Sequence, residues 1–199
     1  MDFKDIVRNR RAIRQYEPKP VPEETIRELL EITSYAVSAI NLQPWKIKVV
    51  SDQETKDKLF PATFGQNQVR TCSHLFIFCA DTDYAAIIRA TDKVMTDGGI
   101  PDGPRQAMME LAAKVANGMS PEQRLAWSKE QVYIALGNCV NGAYSLGLGA
   151  CPMTAFRPPE FATILGLPEN LVPTVMVSIG YPAEPGGPKV RRSVDDILA

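Results

Sequence analysis

The hydrophobic pattern is most pronounced in residues 131–156, which contain no Asp, Glu, Lys or Arg in a chain that is 23% charged. The first part of this stretch is apolar on nearly every side, as Val132, Ala135 and Cys139 illustrate, so it predicts a long buried central helix. Its polar residues recur at spacings of seven, three and four, which places them on one stripe of that helix. They are Gln131, Asn138, Asn141 and Ser145.

Local signals predict where this helix begins and ends. Ser120 followed by proline and then Gln123 is the signature of a capping box, and residues 147–149 (Gly-Leu-Gly) are a stop signal. Gly137 and Gly142 each cost about 1 kcal/mol inside a helix, which indicates close approach of another helix or of a flat ligand. The apolar run is too short and too interrupted for a membrane span, so no membrane association is predicted.

The remaining pattern predicts several short elements. Alternation at 45–50 and continuous apolar runs at 75–80 and 174–180 predict strands, the second of them central and covered. Helical spacing covers residues 2–9, 22–37, 52–60 and 160–165. Pro152 excludes a central strand around 150–156. The architecture is therefore α+β or α/β, with helices over a small sheet of four or more strands.

Residues 83–118 form a helical excursion interrupted by a Gly/Pro-rich loop at 98–104. The excursion is either a lid over a pocket or a plain surface insertion. The length of 199 residues otherwise predicts one domain spanning residues 1–199.

Composition narrows the classes of function. The formal net charge of −1 gives no support to a generally basic surface for nucleic acid. The N-terminal sequence lacks the apolar core of a signal peptide, and four scattered cysteines with one histidine show no metal-binding spacing. Cys79 and Cys139 lie in apolar runs typical of core positions. Together these features predict a protein without zinc in the reducing cytoplasm.

Basic residues cluster at both ends of the chain. Four arginines lie within residues 8–14, and Lys189 begins a second basic run near the C-terminus. The guanidinium group of arginine matches the oxygens of a phosphate, so these runs are either a phosphate site or solvated surface. An alternative, in which the N-terminal arginines bind RNA or DNA, is disfavoured because no aromatic residues are interleaved with them.

Four segments in order resemble the nitroreductase family of FMN-dependent oxidoreductases. They are residues 10–16 (RRAIRQY), 38–45 (SAINLQPW), 131–153, and 180–191, which contains GYP and KVR. The resemblance covers nearly the whole chain. It implies an α+β sandwich with a small mixed or antiparallel sheet and an interlocked homodimer, with one FMN per subunit at the dimer interface.

The resemblance also implies roles for residues around the FMN phosphate. Arg10, Arg11, Lys189 and Arg191 lie on the phosphate side. Ala12 stands where a hydroxyl residue is common, so one hydrogen bond to the phosphate is missing.

Other residues match the family positions around the flavin ring. Arg14 and Gln68 lie near the pyrimidine edge, and the loop of Ser38, Ala39 and Asn41 touches the flavin of the other subunit. The segment under one ring face, with the backbone N–H that donates to flavin N5, comprises Pro152, Met153, Thr154 and Ala155. Thr154 and Ala155 replace an acidic residue and a glycine of one branch, which alters the pocket beside N5.

The function implied is an NAD(P)H-dependent FMN reductase with a ping-pong mechanism. Nitroaromatics or quinones are the implied acceptors, and another conjugated metabolite is the rival within this class. Because the flavin carries the chemistry, no catalytic side chain is assigned. The choice between NADH and NADPH stays open. An FMN-binding storage or sensor dimer with little turnover is the alternative from a different class.

Overall fold

The computed structural model describes residues 1–199. Its helices are α1 (Phe3–Asn9), α2 (Glu23–Ser34), α3 (Gln53–Leu59), α4 (Gln68–Thr71), α5 (Tyr84–Asp97), α6 (Asp102–Asn117), α7 (Pro121–Ser145) and α8 (Pro158–Leu165). Its strands are β1 (Trp45–Val50), β2 (His74–Asp81), β3 (Gly149–Met153) and β4 (Leu171–Gly180). The fold is therefore α+β. None of the helices combines the length and the apolarity that a membrane crossing requires.

The four strands form one antiparallel sheet in the order β1-β2-β4-β3. The predicted central position of β2 is confirmed, because every residue of the strand is buried. The ladder between β2 and β4 shifts register between Phe78 and Cys79, where Cys79 lies opposite Pro173. Proline has no N–H to donate to a ladder, so an irregularity at this point is expected.

β3 was not predicted as a separate strand. It lies at the edge of the sheet, where Pro152 is tolerated because its missing N–H leaves no ladder bond unmade. The only pairing on its outer side is a single parallel bridge from Ala12 to Ala150, in which the Ile13 N–H donates to the Ala150 carbonyl at 3.2 Å. This bridge places the N-terminal arginine segment along the outer edge of the sheet, beside β3.

Side chains of alternating residues in the strands enter two separate cores, one on each face of the sheet. Phe76, Phe78 and Val177 pack toward α2 and α7, whereas Leu75 and Ile77 pack toward the face covered by α3 and α8. Cys79 and Cys139 are both buried, as predicted. Burial raises the pKa of each thiol to about 12.

The central helix α7 begins with the predicted capping box between Ser120 and Gln123. Gly142 packs against α2 so closely that a Cβ atom there would lie 2.7 Å from Cγ2 of Ile32. The prediction that the helix is buried on nearly every side is wrong within one chain. Tyr133 and Ile134 are 46% and 39% exposed, because nothing in the same chain covers that face.

Candidate functional site

A cationic cavity of about 570 Å³ lies between the two ends of the chain and α7. The predicted phosphate residues come together here, two from the segment after α1 and two from the C-terminal tail: Arg10, Arg11, Lys189 and Arg191. Val7, Arg8, Val140 and Asn141 complete the lining. Asn141 was noted in the polar stripe of the central helix but was not assigned to the site.

None of the four predicted cations forms an ion pair. The six ion pairs that Lys and Arg form with carboxylates all lie elsewhere, for example Lys58 with Glu54 and Lys93 with Asp97. Lys189 instead donates to the backbone carbonyls of Val7 and Arg10. Its pKa is lowered, first by desolvation and then by the neighbouring arginines. Desolvation and the charges of Arg191 and Arg11 likewise lower the pKa of Arg10.

The tail reaches this cavity because it folds back along the N-terminal segment. The Glu17 N–H donates to the Tyr181 carbonyl and the Ala183 N–H donates to the Gln15 carbonyl, both at 2.9 Å. Gly186 then passes Arg11 with a φ of +73°, and a Cβ atom there would lie 2.5 Å from the Arg11 Cβ. A residue with a side chain at 186 would therefore displace the arginine segment or the tail.

Glu184 connects the C-terminal tail to the N-terminal segment through hydrogen bonds. Its Oε1 accepts hydrogen bonds from the backbone N–H of Arg14 at 2.6 Å and of Gln15 at 3.2 Å. Sequence reasoning missed this residue, because its partners lie 170 and 169 positions away in the chain. Its only local signal is a carboxylate in a Pro/Gly-rich segment just before the C-terminal basic run.

Arg14 and Gln68 meet β3 at a second group of site residues. Gln68 is buried and its Nε2 lies 3.1 Å from Sδ of Met153. Burial raises the pKa of the Cys151 thiol, while the nearby Arg14 charge and a hydrogen bond from Gln68 oppose the shift. Arg14 itself is exposed. Ala12 lies between this group and the cationic cavity, at its bridge to Ala150.

Pro152, Thr154 and Ala155 are exposed at the end of β3. The N–H groups of Thr154 and Ala155 have no acceptor within the chain, so both are free to donate to a ligand. The Ala155 carbonyl is held by Nε2 of Gln66 at 2.5 Å. These three residues flank Met153 in the chain, and Met153 is in contact with Gln68.

The loop of Ser38, Ala39 and Asn41 is tightly folded but lies apart from the cationic cavity within one chain. Its Ile40, Asn41 and Gln43 have φ values of 55°, 54° and 48°. The Ala39 N–H donates to Oε1 of Gln131 at 2.8 Å, and Oγ of Ser38 accepts from the Gln43 N–H at 2.9 Å. Gln131 and Asn141 are ten residues apart on α7, or roughly 15 Å along the helix.

Comparison with known proteins identifies a consistent set of relatives. The model of the nitroreductase family matches residues 7–181. A Thermus thermophilus protein named NADH dehydrogenase is 37% identical over 198 residues, covering 100% of this chain and 95% of that protein. A Staphylococcus haemolyticus protein named as an NAD(P)H nitroreductase is 30% identical over 203 residues, covering 95% of this chain and 92% of that protein.

Solved structures give the same picture. The structure of an Exiguobacterium sibiricum protein, described as a nitroreductase in complex with FMN, superposes with a TM-score of 0.92 at 25% identity. The superposition covers 100% of this chain and 97% of that one.

Proposed function

Since this chain belongs to the nitroreductase family, we propose that it is an NAD(P)H-dependent FMN oxidoreductase. The observation that carries the proposal is the convergence of four cations without carboxylate partners on one cavity beside Arg14, Gln68 and Met153. Relatives named NADH dehydrogenase and NAD(P)H nitroreductase support the donor class, and the neighbour in complex with FMN supports the cofactor.

The donors around the cationic cavity fit the phosphate of FMN. A phosphate dianion accepts several charge-assisted hydrogen bonds, and arginine forks are well suited to donate them. Arg10, Arg11, Lys189 and Arg191 would hold the phosphate, and their mutual repulsion would be relieved by its charge. Asn141 adds a neutral donor from α7. Ala12 contributes only its backbone there, since its side chain has no donor.

When bound, FMN would supply the redox chemistry, taking a hydride from NAD(P)H and passing electrons to an acceptor in ping-pong order. The protein's part is to bind and orient. Arg14 would place positive charge at the pyrimidine edge, and Gln68 would offer its amide to a ring carbonyl or nitrogen. Pro152 and Met153 would support one ring face, and the free N–H of Thr154 or Ala155 would donate to N5.

We propose a homodimer, because one chain alone leaves both an apolar surface and an incomplete site. Tyr133 and Ile134 of α7 and the tail residue Leu198 are exposed. The loop of Ser38, Ala39 and Asn41 lies roughly 15 Å along α7 from Asn141, so the partner's loop would reach this subunit's flavin. The interlocked tails would cover the exposed apolar residues.

We assign the acceptor to the cleft beside N5. Residues 83–118, part of a single domain of residues 1–199, pack beside Leu42 and would cover the partner's cleft together with the loop of residues 38–41. This hairpin of α5 and α6 presents Val94 and Leu111 to solvent, as a cover over an apolar cleft requires. Nitroaromatics and quinones are flat, apolar acceptors that fit such a cleft. Another conjugated metabolite is the alternative acceptor.

Anaerobic absorption spectroscopy tests the proposed function directly. The purified chain, saturated with FMN, is mixed without air with NADH and then NADPH. We expect the flavin bands to bleach within seconds and to return when a nitroaromatic or quinone is added. The donor that bleaches them faster identifies the preferred coenzyme. A yellow protein that neither donor reduces would favour a storage or sensor dimer.

The phosphate assignment has a matched control. Changing both Lys189 and Arg191 to alanine removes two cations from the cavity and is expected to weaken FMN binding by at least about a hundredfold. Changing the exposed Lys58 and Arg27 to alanine removes the same charge from other surfaces and is expected to leave FMN binding unchanged. Equal losses in both double variants, measured by fluorescence titration, would place the phosphate elsewhere.

A further inference from the structure

A second basic cavity lies outside the cationic cavity and shares none of its residues. It has a volume of about 430 Å³ and is lined from three segments, the turn before α2, helix α3, and the region from α4 to the start of β2. Its charged lining residues are Glu17, Lys19, Lys56 and Arg70. Gln53, Thr71 and Ser73 add polar side chains.

Lys56 is the unusual residue of this cavity. Only 4% of its surface is exposed, and its Nζ donates a single hydrogen bond, to the Cys72 carbonyl at 2.8 Å. It forms no ion pair with any carboxylate of the chain. An ammonium group has three donors, and lysine is almost never this deeply buried without a charged partner. The remaining donors therefore call for an acceptor in the cavity.

Lys58, on the same helix, shows the usual arrangement. Its side chain is 60% exposed and is paired with Glu54 at 2.6 Å. Two lysines two positions apart on α3 therefore differ in burial and in pairing. The difference follows from the face of α3 that each one occupies, since only Lys56 points toward the cavity lining.

The lining carries three cations and one carboxylate, and the carboxylates of Asp52 and Asp57 lie just outside it within electrostatic reach of Lys56. Arg70 is tied to Asp57 through Nε at 2.7 Å, and Nζ of Lys19 lies 4.7 Å from the ring centre of Tyr181. Glu17 opposes an anion but is exposed and joins no ion pair. The cations come from all three segments, so an anion with several oxygens is needed to contact them together.

The cavity is connected to the proposed flavin site through two segments of the chain. Tyr16 lines the cavity two residues after Arg14, and Arg70 lines it two residues after Gln68. Gln68 and Arg70 belong to the one-turn helix α4. Two residues of helix advance the chain by only about 3 Å, so an anion in this cavity would lie close to the backbone that carries Gln68.

We propose that this cavity is a second oxyanion site, in which Lys56 binds a phosphate group. The phosphate belongs either to a nicotinamide donor, as the 2′-phosphate of NADPH, or to a free phosphate compound. Both sources present the same tetrahedral oxyanion to Lys56, Lys19 and Arg70. The coenzyme source rests on the proposed function, whereas binding of free phosphate does not depend on it.

Calorimetry on the full chain saturated with FMN tests the site without turnover. Inorganic phosphate is titrated at constant ionic strength into the wild type, Lys56→Met and Lys58→Met. We expect saturable binding to the wild type and to Lys58→Met, and at least about tenfold weaker binding to Lys56→Met, which keeps the apolar stem but loses the charge. Wild-type binding that Lys56→Met leaves unchanged would overturn the proposal.

Coenzyme kinetics distinguish the two sources. If the phosphate is that of NADPH, Lys56→Met is expected to raise KM for NADPH at least about tenfold while KM for NADH stays constant. If the source is free phosphate, both KM values stay constant and only the calorimetric binding is lost. No saturable phosphate binding together with an unchanged preference between the coenzymes would also overturn the proposal.

If Lys56→Met does not fold, crystallography of the wild type can still test the proposed anion site. Holoprotein crystals grown with selenate are expected to show an anomalous peak within hydrogen-bond distance of Nζ of Lys56. The absence of that peak overturns the site. A chain that takes up FMN but shows no such peak leaves the proposed reductase standing, so the two failures are distinguishable.

Discussion

Basic side chains that have a hydrogen-bonding partner fall into two groups, those bound to a carboxylate and those bound to a backbone carbonyl. Most paired residues, such as Arg157 with Glu160, face a carboxylate at the surface. Arg11 and Lys189 instead donate to backbone carbonyls of residues 7–10. Carbonyl dipoles hold these side chains in place without neutralising them, so their charge remains available to an anion.

The lowered pKa of Lys189 predicts a pH dependence of FMN binding. Because the group deprotonates below its ordinary pKa of about 10.4, FMN affinity is expected to fall as pH rises through the lowered value. The loss should reach about tenfold, since one charged donor disappears. Fluorescence titration across alkaline pH measures the effect. Lys189→Arg is expected to retain affinity over that range, and an identical decline in both proteins would reject the role of Lys189.

The lowered pKa of Lys189 also makes the stability of the FMN-free chain depend on pH. The unfolded chain holds the Lys189 proton to higher pH than the folded chain does, so unfolding takes up a proton between the two pKa values. The contribution of Lys189 to stability is therefore unfavourable below the lowered pKa. It becomes less unfavourable as pH rises toward the ordinary value.

Among the elements, α7 connects the parts of the site. It spans 25 residues, or roughly 38 Å, and contacts the Ala39 loop through Gln131 and the cationic cavity through Asn141. Its position is set by close packing on α2, where Gly142 leaves room for Ile32. The helix therefore fixes both the site residues of its own subunit and the loop assigned to the partner's site.

Gly142→Ala tests this packing. Alanine favours a helix by about 1 kcal/mol over glycine, but its Cβ would lie 2.7 Å from Cγ2 of Ile32. Overpacking of this kind costs about 1–3 kcal/mol, so we expect a lower thermal midpoint. Gly118→Ala at the C-terminal end of α6 is the control, because its backbone is right-handed helical and the added methyl group would make only ordinary contacts, at 3.4 Å and beyond. That variant is expected to be as stable as the wild type or more so.

For the whole molecule, the C-terminal tail has two separable parts. Residues 181–191 fold back along the N-terminal segment and carry Lys189 and Arg191 into the cationic cavity. The last seven residues contact little of their own chain, and Val194, Ile197 and Leu198 are 68–69% exposed. In the proposed dimer, the first part completes the site and the second part covers the partner.

Two truncations separate these roles. A chain that ends at residue 192 keeps the cavity and is expected to bind FMN, while its dimer dissociates at least about tenfold more readily because apolar burial is lost. A chain that ends at residue 187 also loses Lys189 and Arg191 and is expected to lose FMN binding. Sedimentation and fluorescence titration measure the two properties. If the chain that ends at residue 192 forms a dimer as stable as that of the full chain, the proposal of interlocked tails is contradicted.

The sequence by itself determined the elements whose signals are local. The capping box at Ser120, the continuous apolar run of β2 and the helical spacing that ends at residue 165 each depend on neighbouring residues, so the local pattern alone placed them. It also determined that basic residues lie at both ends of the chain. The nitroreductase resemblance was confirmed by a family model that matches residues 7–181.

Only the tertiary structure decided which distant groups meet. Glu184 binds the Arg14 backbone across 170 positions, and Gln131 binds Ala39 across 92. In the sequence, Lys56 is indistinguishable from a surface lysine. The fold buries it without a carboxylate partner. β3 becomes a strand only because β4 supplies its ladder. Such contacts depend on how the whole chain packs, and no local periodicity or cap encodes them.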